Sequence, residues 1–322
     1  MGKESKNIEV EVDGVKSTHK VYEHKTTDCN PVKGYWTRSI EGFAKFTYCD
    51  SILTQIKHLS SLPDAQKRCS KSNMDWAGVP KKAQKNIKKM GDLYQQILAY
   101  PNKPAEKVKS AVKNALPKAI RDIIVEDYQW NMIQGDLNLD RIFAGQRKFM
   151  RRIHAEPKDS RIIGIGVQIN ALAYIDSDIL SIRSIVASIA VEVLERLGYN
   201  VELYGYTFSK RCYDTGEKAT CSTIRIKKAG DVMTQSTILN ATSSWAFRNA
   251  IFAMNDYQND GASWNGQGAS RVPTDKHLKI IEEMLPAVSD FAILRAVPES
   301  NNFNKELDNA ISALMDCLKP YL

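Results

Sequence analysis

Residues 161–169, RIIGIGVQI, decide how this chain is read. Ile162, Ile163, Ile165, Val167 and Ile169 make a β-branched run of the kind a parallel sheet buries on both faces, and Gly164 and Gly166 within it allow a close approach. Downstream, a bend over 170–177 leads into a helix predicted at Asp178–Leu197. Asp176, Ser177 and Asp178 stand where a helix N-terminus favours capping oxygens and negative charge. Gly198 is placed to close that helix, and Asn200–Phe208 (NVELYGYTF) reads as a second strand. Together the three elements predict one right-handed βαβ unit.

The same alternation continues to the end of the chain. Ala219–Lys227 is expected as a third strand, antiparallel at the sheet edge and paired through a turn near Asp214–Gly216. Helical stretches follow at Asp231–Ala241 and Ser243–Met254, then a Gly/Asn-rich loop at Asn255–Pro273. A helix at Asp275–Met284, a strand at Asp290–Val297 and a helix at Lys305–Tyr321 close the pattern. Residues 156–322 are therefore expected to form an α/β domain, doubly wound around a mostly parallel sheet.

Residues 1–155 read differently, as a mainly helical and basic region. A short strand fits Asn7–Val12, and mixed apolar spacing from Trp36 to Ser60 suggests one or two helices. Pro80 suits the first turn of a helix over Lys81–Tyr100, and a second basic helix after Pro104 is interrupted at Pro117. Residues 1–160 hold 29 Lys+Arg against 19 Asp+Glu, whereas 161–322 hold 16 against 18, so the net charge of +8 belongs to the first half. That asymmetry favours an acidic partner, nucleic acid being the commonest.

Several classes are disfavoured. No run approaches the ~18 apolar residues of a membrane span, and the opening MGKESKNIEVEVDG has no signal-peptide core, so a cytoplasmic protein is expected. The six cysteines include no CxxC pair, and the five histidines show no zincin spacing. Gly164-Ile165-Gly166 lacks the third glycine of a dinucleotide loop, and no G-x-S-x-G elbow is present. A non-enzymatic protein is the expectation.

Two segments carry contact chemistry with a plain alternative each. Lys81, Lys82, Lys85, Lys88 and Lys89, with Arg147, Arg151 and Arg152, are candidates for gripping phosphates, while lysines are equally good helix formers on a solvated face. Trp264, in the loop NDGASWNGQG, is a candidate partner contact or simply part of a lid.

The apolar strand, the polar loop and the helix ending LERLGYNVELYGYTF resemble the von Willebrand factor A domain, with Gly198, Val201 and Phe208 at matching places over residues 155–322. The resemblance extends to Ser243–Asp256, which is similar to divergent, often phage-encoded members of uncharacterised function. It implies a protein-binding scaffold in the host cytoplasm, with a partner such as an AAA+ ATPase of the chelatase and MoxR kind. It also implies a metal-ion-dependent adhesion site, Asp-x-Ser-x-Ser, in the loop after the first strand. Here Asn170, Leu172 and Tyr174 fall on the three motif positions, and two of them are unsuited to a hard cation. A later register keeps Asp176 and Asp178, with Leu180 third and Ser181 out of phase, enough for weak Mg²⁺ binding at most. Simple helix capping by Asp176, Ser177 and Asp178 is the alternative, and no cofactor is expected.

Overall fold

The computed structural model describes residues 5–12, 15–22, 35–40, 42–60, 74–75, 79–99, 106–125, 129–131, 136–137, 150–152, 161–171, 174–213, 216–231, 271–285, 290–295, 297 and 299–322, with the strands at 5–22 and 129–152 as backbone alone. The β-branched run is a strand, β8 (Ile162–Gln168), and its neighbours follow as expected: α6 (Ser177–Arg196) and β9 (Asn200–Tyr213). Gly198, at φ +90°, takes the left-handed turn that a side chain resists, and the chain reverses there into β9. β8 and β9 pair in parallel, Ile163 opposite Val201 and Val167 opposite Gly205. On the far side β8 pairs in parallel with β11 (Asp290–Leu294).

The two faces of β8 are used differently. Ile163, Ile165, Val167 and Ile169 point into the larger core, beneath α6 and its neighbours. Gly166 lies on the other face, where an added Cβ would sit 2.7 Å from Cζ of Phe291 and 3.6 Å from Cε1 of Tyr206. The glycine is there because two rings already fill the space. Helix α6 is buried along almost its whole length, from Ile179 to Leu194, since α4 (Glu106–Ala115), α5 (Lys118–Val125) and α8 (Phe303–Leu318) cover the sides that the sheet leaves. A helix apolar all round is the expected sequence for such a place.

β10 (Gly216–Lys227) forms a hairpin with β9, Gly216 opposite Tyr213, in agreement with the antiparallel expectation. It is not an edge strand. β4 (Phe43–Cys49) pairs with it in parallel, Cys221 opposite Phe46, and β1 (Ser5–Val12), β2 (Val15–Tyr22) and β3 (Tyr35–Ile40) extend the sheet beyond. The order is β1-β2-β3-β4-β10-β9-β8-β11. The sheet is therefore mixed: β4/β10, β9/β8 and β8/β11 are parallel, and the other pairings are antiparallel.

The first half thus contributes strands where mainly helix was expected. Residues 36–40 and 43–49, read as helical, are β3 and β4, and only α1 (Ile52–Ser60) obeys the helical spacing. Phe43, Phe46 and Tyr48 turn to one face and join Tyr204, Tyr206 and Phe208 under α7 (Asp275–Glu283), a tertiary partnership that overrides local spacing. The chain changes from strand to helix at Ser51, whose Oγ accepts from Thr54 N at 3.1 Å.

The single basic helix expected at Lys81–Tyr100 is two, α2 (Lys81–Gln84) and α3 (Met90–Ala99). Asp92, in the first turn of α3, accepts from the backbone N–H of Lys88 and Lys89 at 2.9 and 3.0 Å and so starts a new helix. The break at Pro117, between α4 and α5, is as expected. A small antiparallel sheet joins β5 (Gln129–Asn131), β7 (Met150–Arg152) and β6 (Asp136–Leu137). The boundary drawn at 155/156, the helices expected at 232–254, Leu172, Arg147 and the loop bearing Trp264 lie outside the described residues. Among those described, no helix is long and apolar enough to cross a membrane.

Candidate functional site at the tip of the first α/β strand

Open α/β sheets bind ligands beyond the carboxyl ends of their parallel strands, and the tip of β8 is such a place. Asn170, the first of the three motif positions, is buried and turned into the sheet. Its Nδ2 donates to Phe208 O at 2.9 Å, and its Oδ1 accepts from Phe208 N at 3.1 Å and from Gln168 Nε2 at 2.9 Å. The amide fastens β8 to β9 and presents no oxygen to solvent.

Beneath it lies Arg183 of α6, wholly buried. Its Nη1 donates to Asn170 O at 3.0 Å and its Nη2 to Ile169 O at 2.8 Å. Burial holds the guanidinium down to about 10, so it remains a cation at neutral pH. No carboxylate accepts from it among the described residues; Nε and the buried Oε1 of Gln168 have no hydrogen-bond partner there. Gln168 Nε2 donates to Arg271 O at 2.8 Å, which draws the chain leading into α7 to the same knot.

Above the knot the loop is fixed from a second direction. The backbone N–H of Asp176 donates to Asn301 Oδ1 at 2.9 Å, Asn301 Nδ2 donates to Tyr174 O at 2.8 Å, and the Tyr174 hydroxyl donates to Glu299 O at 3.1 Å. The segment before α8 is held in turn by Glu306, a buried carboxylate that accepts from Ser300 N at 3.0 Å and Ser300 Oγ at 2.7 Å. The tips after β8 and before α8 are thereby laced together. The Tyr174 ring, 56% exposed, stands on the result, and Ile175 is buried beneath it with Ile179, Leu180 and Phe303 nearby.

Asp176 is the N-cap of α6, but its carboxylate makes no capping hydrogen bond. Asp178 is met by Lys107 of α4 in an ion pair of 2.5 Å. A shallow groove of about 440 Å³ runs between Lys107, Asp176, Ser177, Asp178, Asn301 and Phe303. Among the described residues no three His, Cys, Asp or Glu side chains gather as a metal centre would require. The structure brings Tyr174, Asp176, Ser177 and Asp178 into one rim and holds Asn170 buried beneath it. Leu180, the third position of the later register, is buried under that rim.

The lysines divide. Lys81 and Lys82 lie on α2, Lys85 caps it, and Lys88 and Lys89 precede α3; all five are exposed, and Lys81 is paired with Asp75. Arg151 and Arg152 belong to β7. Arg183, Glu306, Asn301 and Lys107 were not singled out from the sequence. Arg183 had a signal, as the lone charge in the apolar stretch ILSIRSIVASIAV. The others are surface-type residues whose roles depend on a fold that brings positions 125 apart together.

The family described as "Domain of unknown function (DUF7192)" matches residues 35–284. The chain belongs to this family. The DUF7192 match starts with β3, crosses the boundary at 155/156 and runs just past α7, so β3, β4 and the βαβ unit fall within one family unit, and β1 and β2 precede it. No curated protein and no solved structure matches the chain.

Proposed function

We propose that this DUF7192 protein is a non-enzymatic protein-interaction scaffold related to the von Willebrand factor A domain, whose rim at the tip of β8 receives a protein partner. The observation that carries the reading is the lacing of 174–176 to 299–301: it fixes a rim before any partner arrives, with an exposed tyrosine at its centre. Preformed surfaces with aromatic anchors bind without a large ordering cost. The strand-loop-helix-strand order of β8, α6 and β9 supports the kinship, as does the position of Asn170 at the head of the former metal motif. The metal chemistry is given up in this reading, because Asn170 is committed to β9 and Asp178 to Lys107. An AAA+ ATPase is the partner class that the resemblance implies, with phage origin and host cytoplasm as its setting. Affinity purification from producing cells tests it: a protein recovered with the wild type and lost with Tyr174→Ala is expected, and recovery of the same proteins with both contradicts it.

A second reading rests on the exposure of Lys81, Lys82, Lys85, Lys88 and Lys89. Here the basic half grips a nucleic-acid backbone. Affinity for a DNA or RNA duplex then falls steeply between 50 and 200 mM salt, as counterion release requires. Absence of binding, or binding indifferent to salt, removes this reading.

A further inference from the structure

The sheet ends at β11. Among the described residues nothing pairs with its outer side, and Phe291, Ala292 and Ile293 are only half-buried although helices cover both faces of the sheet. The orientation of the edge follows from the register. Ile169 N donates to Tyr206 O on β9, so alternate residues Gly164 and Gly166 bond toward β11 and their register partners Phe291 and Ile293 face away. The Phe291 N–H donates to Oδ1 of Asp290 at 2.9 Å. Amide and carbonyl of one strand residue point the same way, and alternate residues point oppositely. Phe291 and Ile293 therefore turn their backbone groups outward.

Beside this edge runs a groove of about 430 Å³ between β11 and the last turns of α8, lined by Ala292, Ile293, Ala313, Cys317 and Tyr321, with Asp290 and Asp316 on its rim. The groove is apolar along its floor and acidic at the end where β11 begins. Asp290 is held by the Tyr321 hydroxyl at 2.7 Å, and Glu282 of α7 feels its charge together with that of Glu283. The cation at the far end, Arg295, is already paired with Asp275 at 2.7 Å.

We infer that the outer edge of β11 accepts an extended segment of a partner protein as an added strand, with a Lys or Arg of that segment meeting Asp290 and Asp316. In the free protein Asp290 guards the edge by occupying the Phe291 N–H, in the manner of edge protection. An incoming backbone carbonyl takes that N–H over, and the released carboxylate oxygen turns to the incoming cation while its other oxygen keeps the Tyr321 hydroxyl. Main-chain pairing at Phe291 and Ile293 supplies affinity, and the groove takes every second side chain of the segment. This surface stands apart from the rim of Tyr174, and neither depends on the other.

The probe is a displayed library of random linear dodecapeptides, selected on the full chain. The expected winners alternate apolar residues at every second position and carry Lys or Arg near one end, and a synthetic winner slows hydrogen exchange at 291–294. Ile293→Pro, which removes an outward N–H that the incoming strand would bond, abolishes binding. Because this variant can also weaken β11 itself, the exposed Asp316→Lys serves as a second: it lowers affinity for the winner at least fivefold while the melting temperature stays put. Tyr174→Ala leaves the winner's affinity unchanged, which separates this surface from the rim. Winners indifferent to Asp316→Lys, protection elsewhere in the chain, or no enrichment overturn the inference.

Discussion

Arg183 places a guanidinium under the tip of β8, and both of its terminal nitrogens are spent on backbone carbonyls of Ile169 and Asn170. Leaving two buried carbonyls without donors costs about 1–3 kcal/mol each. Arg183→Leu is accordingly expected to lower the urea midpoint well below that of the wild type, with Asn170→Ala smaller in effect but of the same sign; unchanged midpoints would show that the knot is not structural. Asp178 predicts the opposite. Its pair with Lys107 is largely exposed, and such pairs contribute about 0–1 kcal/mol, so Asp178→Asn should barely move the midpoint. If the rim has given up its metal, millimolar Mg²⁺ or Mn²⁺ leaves the melting temperature of wild type and variant alike, whereas a bound ion must raise it. Two histidines set a pH dependence. Burial lowers the affinity of His58 for a proton, and burial together with Lys210 and Lys276 does so for His277, which meets the ring of Phe43 edge-on and that of Phe208 at a tilt. Because the unfolded chain takes up protons first, stability is full above about pH 6.5 and falls as pH drops through the lower folded values. Urea midpoints at pH 7.5 and pH 5 check this, and His277→Gln should flatten the slope.

Among the elements, those that carry their own punctuation were legible in the sequence. β8 announced itself by β-branched residues, α6 by the acidic start at Asp176–Asp178 and the stop at Gly198, and the break between α4 and α5 by Pro117. The elements that depend on distant partners were not. β4 became a strand because Phe43, Phe46 and Tyr48 found β10 and α7, residues more than 170 positions away, and nothing in their own spacing says so. The break at 85–89 was hidden for another reason: the lysines are good helix formers, and the decision rests on the single carboxylate of Asp92. Asp92→Ala should cost about 1 kcal/mol and reduce the helical signal in circular dichroism. Gly166 records the packing of β8 against β11. An alanine there must displace the Phe291 ring, so Gly166→Ala is expected to destabilise by about 1–3 kcal/mol, and a neutral result would mean that the ring moves freely. As for the candidate site, its acidic and polar members were visible at the start of the helix, while its fastening by Asn301, Glu306 and Arg183 required the fold.

At the scale of the molecule, one sheet unites what sequence composition divides. The basic first half supplies β1 to β4, the weakly acidic second half supplies β8 to β11, and β4 and β10 join them in parallel. A fragment of residues 156–322 would uncover the edge of β10 and the sides of α6 that α4 and α5 cover, so it is expected to aggregate or melt below the full chain. Within this frame the rim stands where the parallel strands end, held from β9 through Asn170 and from α8 through Asn301, and what it holds outward is Tyr174. The most direct measurement places a photoreactive phenylalanine analogue at position 174 and another at Lys57, an exposed position on α1, and irradiates producing cells. A discrete protein adduct from position 174 and none from position 57 is the predicted result; no protein adduct at 174, or the same adducts from both positions, would contradict the proposal that the rim docks a protein.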